Sequence, residues 1–177
     1  MAERRQRLVG DLNGKVLEVG VGNGLNLAHY QNVAELTAIE PDAYMVEKLK
    51  PRLANARFPV RLLEIDAEEL TLADASFDAV VASLVLCSVD DPRQALAQIH
   101  RVLRPGGQFR FMEHVQARGL GGAALTAITP IWSRLGGGCH PNRHTEEAIR
   151  SAGFEIVAIE RYRLGYLPHI QGKAIKR

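Results

Sequence analysis

The sequence is short of cysteine and of aromatics: two cysteines, Cys87 and Cys139, one tryptophan and 6% aromatic residues in 177. Two thiols cannot build the multi-bridge framework of a small secreted domain, so reduced cysteines in a cytoplasm are expected. Long apolar runs are missing as well. The longest, Ala79 to Val89, contains two serines and a cysteine. It is about half the length a membrane-spanning helix needs, and it reads as a buried strand. The opening MAERRQRLVG has no apolar stretch of signal-peptide length, so neither export nor an integral membrane segment is expected. An excess of one charge is also lacking. Lys and Arg number 22 against 20 Asp and Glu, a net charge of +2, which excludes the footprint of a nucleic-acid binder or of a strongly acidic partner. Internal repeats and low-complexity segments are absent.

What remains is an ordinary globular composition, 46% hydrophobic and 24% charged, large enough to bury one core. Residues 1–177 are therefore expected to form a single domain. Strand-like runs occur at Lys15–Val19, Leu36–Glu40, Val60–Ile65, Phe77–Ala82, Gln108–His114, Phe154–Ile159 and about His169–Lys176. Helix-like runs lie between several of them: Asp42–Ala54 with Met45, Leu49 and Leu53 on one side, a helix capped by Asp91 with Pro92 at its first position, and Thr145–Ala152 capped by Thr145. This alternation predicts a three-layer α/β sandwich around a mostly parallel seven-stranded sheet. Arg163–Pro168 is too short for a parallel crossover, so the last strand is expected to run antiparallel in an edge hairpin. The stretch Gln116–Arg143 carries Gly119, Gly121, Gly122, Pro130, Gly136, Gly137, Gly138 and Pro141, and is expected to be a broken lid or substrate loop.

The most informative short stretch is VLEVGVGNG, Val16–Gly24. Glycines directly behind a strand let a ligand approach the backbone and point free N–H groups of a following helix at it. Dinucleotide loops are usually spaced G-x-G-x-x-G, whereas here the glycines are Gly20, Gly22 and Gly24. Glu18 stands beside them. A carboxylate there repels a pyrophosphate and attracts an ammonium or sulfonium, which favours a phosphate-free ligand over a nicotinamide dinucleotide. Glu40, twenty positions after Gly20, suits the two hydroxyls of a ribose. Tyr44 and Lys48 fit the Y-x-x-x-K pair of short-chain dehydrogenases, but they fall in the first crossover, too early in the chain, and read as a helix surface pair.

The E-x-G-x-G-x-G spacing resembles motif I of the class I S-adenosylmethionine-dependent methyltransferases. Ser76–Val115, with its RVLRPGG turn, is similar to the core of the methyltransferase type 11 group. The strings LVLCSV, RVLRPGG, EHV, GCHPNRHT and PHIQGKA together resemble the alkyl-thiol S-methyltransferases, from Val16 to Lys176. The resemblance implies a Rossmann-like fold and S-adenosylmethionine as cofactor, leaving as S-adenosylhomocysteine. It implies a donor site of Glu18, Gly20, Gly22, Asn23, Gly24 and Asn26 on the loop, Glu40 and Pro41 after the second strand, Asp66 and Ala67 after the third, and Ser83 and Leu84 after the fourth. Animal members of that family carry an amino-terminal membrane anchor, and Met1–Asp11 has room for one short helix.

The implied partner is a small-molecule acceptor, a thiol or hydrogen sulfide, with a homo-oligomer left open. Rival readings are a quinone precursor, an amine or a phospholipid head group as acceptor, or a donor-binding module without catalysis. On the acceptor side, His114 after Glu113 either orients or deprotonates the substrate or is a buried histidine bonded to backbone. Cys139, His140 and Arg143 are expected to wall the acceptor pocket, with His169 joining them. Cys87 is taken as the packed end of the fourth strand. No metal is expected, because Pro141 keeps His140 and His144 off one helix face and no further cysteine ligand is near Cys139. Trp132, Ile131 and Leu135 read as an apolar mouth or, preferably, as cover for the sheet.

Overall fold

A computed structural model describes residues 1–117, 120–135 and 138–177. The chain runs α1 (Ala2–Val9), β1 (Asn13–Val19), a three-residue 3₁₀ turn (Leu27–His29), β2 (Asn32–Ile39), α2 (Ala43–Leu53), β3 (Val60–Leu63) and β4 (Phe77–Ser83). It continues through α3 (Pro92–Val102), β5 (Leu103–His114), α4 (Leu120–Leu135), α5 (Thr145–Ser151), β6 (Phe154–Leu164) and β7 (Leu167–Lys176). The seven strands form one sheet in the order β3-β2-β1-β4-β5-β7-β6. β1 to β5 pair in parallel, and β7 is antiparallel to both β5 and β6, giving the predicted hairpin at the edge.

Strands buried on both faces need apolar residues at every position, and the period of two then sorts them. Leu17, Val19, Val80, Ala82, Phe109 and Phe111 enter one core with Leu96, Ile99 and Val102 of α3 and Ile149 of α5. Their neighbours Val16, Ala79, Val81 and Met112 enter the other with Leu8 and Val9 of α1 and Leu49 of α2. Arg110 crosses that second core almost buried, paired to Asp11 at 2.7 Å and pinning α1 to β5.

Several sequence expectations shift. Gln116–Arg143 is not a broken loop through its length: Leu120–Leu135 is helical, because its glycines cluster at the first turn and Pro130 is accommodated inside it. Thr129, one residue earlier, donates its hydroxyl to the Leu125 carbonyl at 2.7 Å. Gly119, Gly136 and Gly137 lie outside the described residues. The RPGG turn is absorbed into β5 as an irregularity, Phe77 facing Leu103 and Ala79 facing Gln108. The buried stripe of α2 is Val46 and Leu49, while Met45 is partly exposed. Thr145 is not a cap. His144 takes that position, and Thr145 is turned inward, its hydroxyl 3.4 Å from the His114 carbonyl.

Asp91 does cap α3, accepting from the Arg93 and Gln94 amides at 2.8 and 3.1 Å, with Pro92 first in the helix. Asp91→Ala is expected to cost about 1 kcal/mol. Urea unfolding should show a lower midpoint at unchanged slope.

Candidate active site

The strand order reverses between β1 and β4, where a doubly wound sheet opens a crevice beyond the carboxyl ends of its strands. A cleft of about 790 Å³ lies there, within the size range of small-molecule sites. Gly20, Gly22, Asn23 and Asn26 line it, together with Glu18, Glu40, Pro41, Asp66, Ala67, Ser83 and Leu84. Gly24, the remaining residue of the predicted donor set, does not. Its place is in packing: a Cβ there would come within 2.5 Å of Leu49 on α2. Gly20 brings the ends of β1 and β4 together, since its Cβ would stand 2.5 Å from Val85. Gly22, at φ +55°, faces open space, leaving bare backbone toward the cleft. No full helix follows this loop, only the turn Leu27–His29, so the expected helix N-terminus is replaced by loop amides and side chains.

Glu18, 1% exposed, is the electrostatic centre of the cleft. Asn26 Nδ2 donates to its Oε1 at 2.7 Å and the Tyr30 hydroxyl to its Oε2 at 2.9 Å. Arg5 of α1 reaches over to Asn26 Oδ1 at 2.7 Å. Burial pushes the Glu18 carboxyl up to about 7, held back by Asn26, Tyr30 and the charge of Arg5. Glu40 clamps the loop from the other side, accepting from the Gly22 amide at 2.8 Å and the Asp42 amide at 3.1 Å.

The β4 side carries strain and an open valence. Leu84 sits at φ +63°, costly for a bulky side chain, and is held there by its amide donating to the Met112 carbonyl at 2.7 Å. The Ser83 hydroxyl is buried with no partner among the described residues. Beyond it the chain turns through Val85–Ser88, so Cys87 lies in that turn and not at the strand end, buried to 1% exposure. Fully buried Glu113 shapes the turn by accepting the amides of Val85, Leu86 and Cys87 at 3.0, 3.1 and 3.3 Å. Burial lifts its carboxyl to about 7 against those three amides.

The acceptor-side candidates gather behind this turn. His114 Nδ1 is 3.4 Å from Cys87 Sγ and 3.4 Å from Cys139 Sγ. The His140 amide donates to the Cys87 carbonyl at 2.6 Å, and Arg143 Nη1 to the Leu86 carbonyl at 2.6 Å. His169 joins through stacking. β5 and β7 pair His114 with His169, β6 and β7 pair Tyr162 with His169, and the rings meet at 4.4 and 5.1 Å. The neighbouring Cys139 thiol and burial raise Cys87, whereas Cys87, His114 and Trp132 draw Cys139 down. The expectation that no second cysteine approaches Cys139 is thus corrected, because the turn after β4 delivers Cys87. His144 points elsewhere, 4.0 Å from Glu147 on the surface.

Arg5 and Tyr30 escaped sequence reasoning as members of this site, since no spacing links them to the glycine loop; Glu113 is expected beside the reacting end with His114, but not in its role of holding the turn amides. Ile131 and Trp132, expected as sheet cover, are 66% and 42% exposed on α4. The Leu135 side chain lies outside the described residues. Tyr44 and Lys48 form the predicted surface pair, with Lys48 Nζ 5.3 Å from the Tyr44 ring. No helix among the described residues is long and apolar enough to cross a membrane.

Residues 17–111 match the family described as Methyltransferase domain. A thiol S-methyltransferase of Homo sapiens is 38% identical over 177 aligned residues, covering 93% of this chain and 72% of that one. A phosphatidylethanolamine N-methyltransferase of Cereibacter sphaeroides is 34% identical over 160, covering 86% and 77%. The crystal structure of a putative methyltransferase from Bacillus halodurans superposes with a TM-score of 0.81 at 16% identity, covering 99% of this chain and 97% of that one.

Proposed function

The chain belongs to the Methyltransferase domain family and is a class I methyltransferase; from that premise we propose that it moves a methyl group from S-adenosylmethionine to the sulfur of a small thiol. The observation that carries the donor half is the pairing of two buried carboxylates, Glu18 and Glu40, across a cleft with bare backbone at Gly22. Glu40 suits a ribose in either cofactor class, but a phosphate would meet the charge of Glu18 as repulsion, while a sulfonium amino acid meets it as attraction. The relation to a thiol S-methyltransferase supports the acceptor half.

When bound, S-adenosylmethionine supplies a methyl on a positively charged sulfur, open to in-line displacement. Glu18, oriented by Asn26 and Tyr30, attracts the ammonium end of the amino-acid portion. A carboxylate can accept about four hydrogen bonds. Glu40 spends two on the Gly22 and Asp42 amides, which leaves two for the ribose hydroxyls. Asp66 and Ala67 stand on the adenine side. Ser83, whose hydroxyl lacks a partner among the described residues, and Leu84 face the reacting end. His114, Cys139, His140 and Arg143 build the acceptor wall across the Val85–Ser88 turn. Such an enzyme gains most of its rate by holding nucleophile and methyl in line where water is scarce.

The test is an acceptor panel. With S-adenosylmethionine present, short alkanethiols and sulfide should yield S-adenosylhomocysteine, and quinone precursors and phosphatidylethanolamine vesicles should not. Turnover confined to phosphatidylethanolamine would transfer the acceptor from sulfur to nitrogen, the reaction named for the Cereibacter relative. Calorimetric binding of the donor with no acceptor turned over would leave a binding module.

A further inference from the structure

We propose that Cys87, His114 and Cys139 form a binding site for a soft divalent cation of the zinc class, with a fourth position open to a thiolate ligand. The three donor atoms, two thiol sulfurs and one imidazole nitrogen, lie within 4.8 Å of one another. Zinc holds sulfur at about 2.3 Å and nitrogen at about 2.0–2.1 Å in a tetrahedron, which puts a sulfur and a nitrogen ligand about 3.5 Å apart. Both Sγ–Nδ1 separations here are 3.4 Å. The two sulfur–nitrogen edges of such a tetrahedron are already in place.

Each arm of the site is fixed by contacts that do not involve the other two donor atoms. Cys87 is held by its amide on Glu113 and its carbonyl on the His140 amide. That second bond also sets Cys139, one residue before His140, against the turn. His114 is held by strand pairing with His169 and by the Thr145 hydroxyl at its carbonyl. Ligands restrained this way need little reorganisation to close on a cation, the two thiols losing their protons to solvent as the metal–sulfur bonds form. Two sulfurs and a nitrogen select zinc over magnesium or calcium, which prefer oxygen.

Among the described residues the cluster contains three ligands, so a tetrahedral cation keeps a fourth position for water or an incoming ligand. Ser88, whose hydroxyl is 3.7 Å from Cys87 Sγ, lines the cleft assigned to the donor, so the cluster stands one side chain from that cleft. A thiol entering there gives its proton to bulk water, and a sulfur lone pair forms the metal–sulfur bond in place of the bound water. This thiolate half rests on the thiol reading above; the cation half does not.

The test uses the full chain, reduced with a phosphine and loaded with Co²⁺. One equivalent should bind with thiolate-to-cobalt charge-transfer absorption and tetrahedral ligand-field bands, and Zn²⁺ should displace it. Cys87→Ser and Cys139→Ser, checked for fold by circular dichroism, should each lose at least about a hundredfold in cobalt affinity. A short alkanethiol should shift the bands of the wild-type complex. No charge-transfer band, or a band retained in both serine variants, overturns the cation site. A band that alkanethiols leave unchanged, or equal thiol turnover with and without metal, overturns the thiolate role. An intact cobalt spectrum with no S-adenosylhomocysteine from any thiol sinks the thiol reading and leaves the cation site standing.

Discussion

Replacing Glu40 with alanine is expected to weaken S-adenosylmethionine binding by about a hundredfold. Hydrogen bonds to a charged acceptor contribute about 1.5–3 kcal/mol each, so loss of two amounts to about 3 kcal/mol, or about two decades in Kd. The residue also braces the loop, its two oxygens accepting from Gly22 and Asp42. Part of the loss therefore reaches the ligand through a slackened backbone. Glu40→Gln separates the two contributions. It keeps one acceptor oxygen but sets an amide NH₂ against a backbone N–H, so its affinity should fall between wild type and alanine. Titration calorimetry with S-adenosylhomocysteine measures both variants, with thermal melts to show that the sheet survives. Wild-type affinity in a folded Glu40→Ala protein would remove the ribose from this end of β2.

The sheet was legible because its strands are apolar on both faces, and a run such as Val16–Val19 has no competing reading. β2 was less so: its first residues, Asn32–Glu35, mix polar and apolar positions, and strand pairing with Asn13–Lys15 supplies the order that composition does not. The α4 segment misled for the opposite reason. Glycine and proline penalise a helix in isolation, but Gly121 and Gly122 fall at the first turn, where the penalty is least decisive. The donor cleft could be read from Glu18, the glycines and Glu40 because short-range spacing carries it. The cluster of Cys87, His114 and Cys139 could not, since its three members come from a turn, a strand end and a loop that only the tertiary fold brings together. The role of Glu113 was hidden for a related reason. Its task is to hold three amides of another segment, and nothing in its own neighbourhood announces them.

Donor affinity is expected to fall roughly fiftyfold between pH 7 and pH 5, because Glu18 must give up a proton to receive a cation. With its carboxyl raised to about 7 by burial, the free protein carries that proton through most of this range, and each unit below the pKa weakens a ligand that needs the anion about tenfold. The ligand keeps its own charge there, since an α-amino group titrates at about 7.7–8.0. Calorimetry in buffers of different ionisation enthalpy should find close to one proton released per donor bound at pH 6. Glu18→Gln should bind weakly and show no such pH dependence. Stability of the ligand-free protein runs the other way. Glu18 and Glu113, both raised from 4.5 to about 7, hold protons in the folded state that the unfolded chain releases, so unfolding free energy declines as pH rises across that window. Saturating donor should flatten the Glu18 share of this decline and leave that of Glu113, whose partners are backbone amides. An affinity that is level from pH 5 to pH 7 would mean that the buried acid beside the glycine loop does not face the cation.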